Sequence, residues 1–455
     1  MKNNIFKFLR TLFCLVRVKR VKSILFRNAI LAILFISLLY IPSDANAQKV
    51  WKGFMFSPVA TTNNSHSIFM EDFRELASVL KNKGINTIVF DMNNQGFHFT
   101  CDKRLNTFPY SKSRGFTTSE ARQMAKIARD NGMQVIVAMQ VLSHSMGYTF
   151  AKAYPEYMLP VSEWKPSKLY DNKLDYIEYR GKVYKAIKKH TSDAKNAPPS
   201  KSFWQEAPSS PTRDPYSREG EALTFKMIDE LIQGFTVDGI APEGFHIGSD
   251  ELRYWYEQPQ TTKGASSAQI FARVITDAYK HIKSNTPQIE VIMWGDMLDD
   301  QWNGASKSKR RSGQDTAAAI DLIPKDIIIA DWRYEAHRSY GYDSANSNFP
   351  SVGKFLDKGF RVWPTSWSDV KGTTELIMTG NREQVRTGRV IGHLYSTWLD
   401  AIVPELAPLL SNPERQLSDE IVSGFSDKKK QAFSSYYRGL ADSINATVNL
   451  VGKQH

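Results

Sequence analysis

From Trp51 onward, short apolar runs alternate with stretches whose apolar residues recur at i, i+3, i+4 and i+7. Successive βα units require this alternation, because a strand of a parallel sheet is buried on both faces while each covering helix is buried along one stripe. The runs predict eight strands, at Gly53–Phe56, Thr87–Asp91, Val135–Met139, Gly244–Gly248, Val291–Trp294, Ile327–Ala330, Phe360–Trp363 and Val390–Tyr395. Between them fall helical stripes such as Phe73/Leu76/Ala77/Leu80, Ala121/Met124/Ala125/Ala128, Phe225/Ile228/Leu231/Ile232 and Phe271/Val274/Ile275/Ala278/Ile282. Thr117 with Glu120 three residues on has capping-box spacing, and Asn131-Gly132 stops the same helix. A last stripe, Phe433/Tyr436/Tyr437/Leu440/Ile444, would close the ring. The expected fold is therefore α/β, a (β/α)8 TIM barrel.

The rhythm breaks between Ser143 and about Arg213, where Tyr, Lys, Pro and Ser dominate and Arg180-Gly181 marks a hairpin turn. This predicts an insertion over about residues 145–213 after the third strand, at the barrel end where long functional loops sit. No linker divides the chain into halves, which disfavours a doubly wound sheet with a second domain.

The stretch from Lys2 to Arg27 is basic, Ala29–Ile41 is apolar, and Ala45-Asn46-Ala47 follows. That order reads as a secretory signal peptide over residues 1–47, with the barrel in 48–455 and an exported, periplasmic or extracellular destination. The alternative is an uncleaved anchor, the one route to a membrane. Removing the leader changes the charge from +12 to +5, since residues 48–455 hold 51 Lys/Arg against 46 Asp/Glu. No basic stripe argues for nucleic acid, while a mild attraction to anionic glycans or cell surfaces remains. Cys101 is the single cysteine beyond the leader, so no intramolecular disulfide is expected. With nine histidines and no close His/Cys/Asp spacing, neither a metal nor a cofactor is implied.

In such a barrel the site lies where the strands end. Polar and aromatic residues gather there repeatedly: Gln140 with His144, Asp250-Glu251, Trp294-Gly295-Asp296, Asp331-Trp332-Arg333-Tyr334, Trp363 with Trp367, and Trp398-Leu399-Asp400. Carboxylates among tryptophans suit a sugar, because indole faces cover the apolar faces of a pyranose and carboxylates accept its hydroxyl protons. Two adjacent carboxylates in different surroundings can also supply one neutral acid and one stabilising charge for glycoside cleavage. By spacing alone, Asp250-Glu251 serves equally well as the acidic cap of the next helix.

The run His246-Ile247-Gly248-Ser249-Asp250-Glu251 resembles the His-x-Gly-Gly-Asp-Glu motif of glycoside hydrolase family 20, the β-N-acetylhexosaminidases, with Ser249 in place of the second glycine. Gln140 to His144, Tyr154-Pro155-Glu156, Trp294-Gly295-Asp296-Met297 and Trp398-Leu399-Asp400 agree with it in order. The resemblance implies removal of β-linked GlcNAc or GalNAc by substrate-assisted retention, with Glu251 as acid and base and Asp250 orienting the acetamido group. It further implies a raised pKa at Glu251 and an ionised Asp250. His144, His246, Trp294, Asp296, Trp332, Trp367, Trp398 and Asp400 are the expected substrate-binding residues. Two departures stand out: Phe56-Ser57-Pro58 occupies the place of the family's first-strand arginine, and no tyrosine follows the seventh strand in Trp363–Ser368. They keep two other readings open, a sugar-binding protein without turnover and a retaining glycosidase whose nucleophile is Asp296 or Asp331.

Overall fold

The computed structural model describes residues 50–58, 66–92, 96–106, 115–144, 150–171, 175–252, 254–255, 264–304, 315–334, 349–367, 369–397, 403–412 and 427–452. The leader expected over residues 1–47, and Trp398 and Asp400 among the expected site residues, lie outside the described residues.

Eight strands form a closed barrel: β1 Trp51–Phe56, β2 Thr87–Asp91, β3 Gln134–Ala138, β4 Gly244–His246, β5 Glu290–Trp294, β6 Ile328–Trp332, β7 Arg361–Ser366 and β8 Gly392–Ser396. Each pairs in parallel with its neighbours, and β1 closes on β8 through the register Trp51↔Gly392 to Met55↔Ser396. The (β/α)8 TIM barrel read from the sequence is thus the fold of this chain. Strand ends moved most: β6 and β7 run two and three residues further than their apolar runs, so Asp331-Trp332 and Thr365-Ser366 lie on strands. Mid-barrel pairing accepts polar side chains that a hydrophobic run cannot announce.

The helices are α1 His66–Asn82, α2 Thr118–Asp130, α3 Arg218–Gly234, α4 Ser267–Asn285, α5 Pro350–Asp357, α6 Val370–Thr387, α7 Val403–Ser411 and α8 Asp427–Leu450. Thr117 and Glu120 make the capping box of α2, and Ser266 with Gln269 makes a second one on α4. Between β5 and β6 the described residues form only short turns of helix, Asp296–Leu298, Asp300–Asn303 and Ala317–Asp321.

Alternation along the strands divides the core in two. Phe54, Phe56, Phe90, Val135, Val137, Phe245 and Val291 face the helices, each fully buried, a burial that contributes roughly 1.5–3 kcal/mol per side chain. Trp51, Met55, Val89, Ile136, Ile292, Trp294, Trp332, Trp363 and Leu394 fill the barrel interior. Gly53 is required there: a Cβ on it would stand 2.4 Å from the Trp363 ring.

The insertion lies between β3 and β4. It forms a four-stranded sheet of Ser162–Glu163, Tyr176–Tyr179, Lys182–Ala186 and Trp204–Ala207, beside a two-stranded pair of Leu169–Tyr170 with His190–Thr191. The hairpin turns at Arg180-Gly181 as expected, both at positive φ (53° and 75°), the conformation two-residue hairpin loops need. Tyr170, Ile177, Tyr184, Ala186 and Trp204 give this lobe its own small core.

Candidate active site

The chain leaves β4 at His246 and turns sharply, with Gly248, Ser249 and Glu251 at φ of 61°, 69° and 42°. His144, after β3, is also left-handed at 43°. A non-glycine residue held there costs on the order of 1–3 kcal/mol, so the surrounding contacts must impose the geometry. Gln140 imposes much of it: its Oε1 accepts the Ser249 N–H at 2.5 Å and lies 3.2 Å from Ser143 Oγ, which leaves its Nε2 to donate to Asp250 Oδ1. Ser143 Oγ donates to the Asp250 carbonyl at 2.6 Å. Gly248 makes room for that amide, since a Cβ there would lie 2.3 Å from Gln140 Oε1.

Three carboxylates meet at this turn. Asp250 is buried, Glu251 is half-buried, and Asp296, from the turn after β5, is 1% exposed. Asp296 Oδ2 accepts the Glu251 backbone N–H at 2.9 Å, and its Oδ1 accepts the Trp332 indole N–H at 3.4 Å. His144 Nε2 stands 3.6 Å from Asp250 Oδ2 and 3.3 Å from Glu251 Oε2, so it bridges the acid pair from the rim. Burial, and then the Asp250 charge, push Asp296 up to about 7. Burial also raises Asp250; the His144 charge opposes this, Glu251 adds to it, and the Gln140 hydrogen bond opposes it. Burial therefore works against the ionised Asp250 that the resemblance implies, and against Asp296 as well. The reason is topological: Asp250 and Asp296 turn inward, while Glu251 lies nearer solvent.

Of the other expected residues, Trp332 closes the wall beside Asp296, packed on Trp302 at 4.7 Å and on Tyr334 at 5.0 Å between ring centroids. Trp367 sits at the rim, edge-on to Tyr334 at 5.4 Å. His246 and Trp294 point into the barrel interior, ring against ring at 4.2 Å. Burial lowers the His246 imidazole to about 3; its Nδ1 accepts the Gly248 N–H, so the ring is neutral and braces the turn from within.

The sequence reading counted Gln140 and Tyr334 among the strand-end residues without giving either a role, and it did not single out Ser143, Trp302 or the support behind them. Arg333, 2% exposed, lies 3.9 Å over the Trp302 ring, donates to Asp299 Oδ2 at 2.6 Å and faces Asp331 Oδ1 at 3.4 Å. Asp331 Oδ2 accepts the Ser351 hydroxyl at 2.6 Å. Asp331 thus belongs to a buried ion network behind the tryptophan wall. The run Asp331-Trp332-Arg333-Tyr334 was the one available signal, and it did not reveal which face each side chain takes.

The family model described as glycosyl hydrolase family 20, catalytic domain, matches residues 91–373, more than half of the chain. None of the curated protein sequences matches it. Among solved structures, the exo-β-N-acetylglucosaminidase of Vibrio harveyi, solved in complex with N-acetylglucosamine, is similar with a TM-score of 0.51 at 13% identity, over 88% of this chain and 54% of that one. The β-N-acetylhexosaminidase of Bacteroides fragilis aligns with a TM-score of 0.47 at 11% identity, over 86% of this chain and 65% of that one. The chain therefore spans between about half and two thirds of the length of these relatives, and by its matched catalytic region it belongs to glycosyl hydrolase family 20.

Proposed function

We propose that this chain is an exported glycoside hydrolase that removes terminal β-linked N-acetylhexosamine, GlcNAc or GalNAc, by substrate-assisted retaining hydrolysis. One observation carries the mechanism: beside Asp250 and Glu251, the neighbouring carboxylates named as possible nucleophiles are already engaged. Asp296 accepts hydrogen bonds on both oxygens, and Asp331 is tied to Ser351 and Arg333. Neither is placed as a free nucleophile, which favours attack by the substrate's own acetamido oxygen.

In that reading Glu251, the most accessible of the three acids, gives its proton to the leaving glycosidic oxygen as the acetamido oxygen bonds to the anomeric carbon. Asp250, with Oδ1 held by Gln140, presents Oδ2 to the acetamido N–H and stabilises the oxazolinium charge that forms. Glu251 then removes a proton from the water that reopens the ring, restoring the acid and the retained anomer. His144, in reach of both carboxylates, keeps their charges compatible. The indole of Trp332 and the ring of Tyr334 offer apolar faces for the pyranose.

The test is release from aryl β-GlcNAc and β-GalNAc, with product anomer read by NMR and inhibition by a thiazoline analogue of the cyclised intermediate. Glu251→Gln is expected to lower kcat on an unactivated disaccharide by at least a thousandfold. Full activity of that variant sinks the assignment, and insensitivity to the thiazoline with retained turnover returns the reading to an enzyme carboxylate. Sugar binding without release from any acetamido glycoside favours a protein that binds without catalysis. Export rests on the basic and apolar order of residues 1–47, and recovery of the full-length chain in the cytoplasm would remove it.

A further inference from the structure

The insertion carries a charge that the barrel does not. Residues 162–207 hold ten Lys/Arg against six Asp/Glu, a net charge of +4, out of +5 for all of residues 48–455. Lys165, Lys188, Lys189, Lys195 and Lys201 are exposed, and among the described residues no carboxylate lies within salt-bridge distance of any of them. They come from segments knotted together at the end that carries the two-stranded pair. Ser192 Oγ donates to the Lys165 carbonyl at 2.6 Å, His190 Nδ1 lies 2.7 Å from the Lys188 carbonyl, and Asn196 Nδ2 donates to the Thr191 carbonyl at 2.9 Å. Five like charges on one small lobe repel each other, and the lobe's core offsets that cost without gaining from it.

The other end of the lobe is fixed to the active site. Tyr254, three residues after Glu251, donates from Oη to the Pro160 carbonyl at 3.1 Å, takes the Thr212 hydroxyl on its own carbonyl at 2.7 Å, and packs on Tyr176 at 5.9 Å. The lobe that carries the lysines is therefore tied directly to the segment that follows Glu251.

We propose that the inserted lobe is a docking surface for an anionic polysaccharide, which it holds beside the barrel while a chain end is presented to the strand ends. The lysines supply a field that attracts carboxylate or sulfate groups without reading their sequence. A half-exposed Trp164, edge-on to Tyr179 at 5.6 Å with Arg180 over the tyrosine ring, adds aromatic faces suited to sugar. A lipid surface fits less well, because the large exposed apolar side chains of the lobe are Leu169 and Ile187 rather than a continuous wedge.

The full chain and a variant carrying Lys165→Gln, Lys188→Gln, Lys189→Gln, Lys195→Gln and Lys201→Gln are compared for binding to hyaluronan, to neutral dextran and to phosphatidylglycerol vesicles, across a salt series. Hyaluronan binding is expected to weaken at least tenfold in the variant, with a shallower dependence on log salt, while dextran binds neither protein. Aryl-glycoside kcat/KM stays within twofold, which shows that the variant is folded. Equal hyaluronan affinity in both proteins, no hyaluronan binding by either, or binding to vesicles alone overturns the proposal. Because binding is read without turnover, failure of the aryl assay in both proteins would undo the enzymatic reading and leave this one standing.

Discussion

Asp296 offers the sharpest test of the electrostatics around the candidate site. It is almost wholly buried, with burial and the neighbouring Asp250 charge raising it from the ordinary 3.8 to about 7. Between those two values the folded chain holds a proton that the unfolded chain has released, so stability falls as pH rises. For one such group the loss between pH 5 and pH 8 is about 2–3 kcal/mol, from 1.36 kcal/mol per pKa unit. Asp296→Asn removes that titration. It also leaves one acceptor oxygen where the Glu251 N–H and the Trp332 indole each need one, a pH-independent cost of about 1–2 kcal/mol. The variant should therefore be less stable than the wild type at pH 5 and equal to it or more stable at pH 8. Urea unfolding at the two pH values, followed by tryptophan fluorescence, measures the crossing. A deficit of the same size at both pH values would refute the argument, because it would mean that Asp296 is already ionised in the fold at pH 5.

Gly248→Ala places a methyl group 2.3 Å from Gln140 Oε1 on a backbone at φ 61°, so the amide that holds Asp250 must move. Aryl-glycoside kcat/KM should fall roughly 10- to 100-fold, and activity within twofold of the wild type would show that Gln140 does not set the geometry. Arg333→Met removes the guanidinium paired with the buried Asp299 and Asp331 and leaves Lys354, 3.7 Å from Asp299 Oδ1, as a more distant partner, which should cost about 3–5 kcal/mol, or roughly 4–6 °C in Tm for a barrel of this size. An unchanged Tm would show that the network is solvated. In the same variant the Trp302–Trp332 wall loses its backing, so KM for the sugar should rise more than kcat falls. Equal changes in both would place the effect elsewhere.

The eight strands, the order of the helices, the capping box at Thr117 and the hairpin at Arg180-Gly181 were legible in the sequence, because each follows from local rules of periodicity, capping and turn chemistry. The acid pair was legible as a motif, though its spacing alone left it between catalyst and helix cap. The structure decided how the strand-end residues divide between the barrel interior and the rim. Trp294 and Trp332 share the inward face, yet Trp294 packs on the buried His246 while Trp332 meets Tyr334 and Asp296, a difference of depth along the barrel that no periodicity records. It decided that Gln140, 110 positions away in the chain, holds Asp250, a contact that depends on β3 and β4 lying side by side. It also assigned a burial penalty to Asp250 and Asp296, since desolvation depends on what packs around a carboxyl group in three dimensions. The sequence by itself determined a parallel barrel with an acidic strand end, because hydrophobic periodicity is local; which acids are buried, braced or open was decided only when distant strands closed the ring.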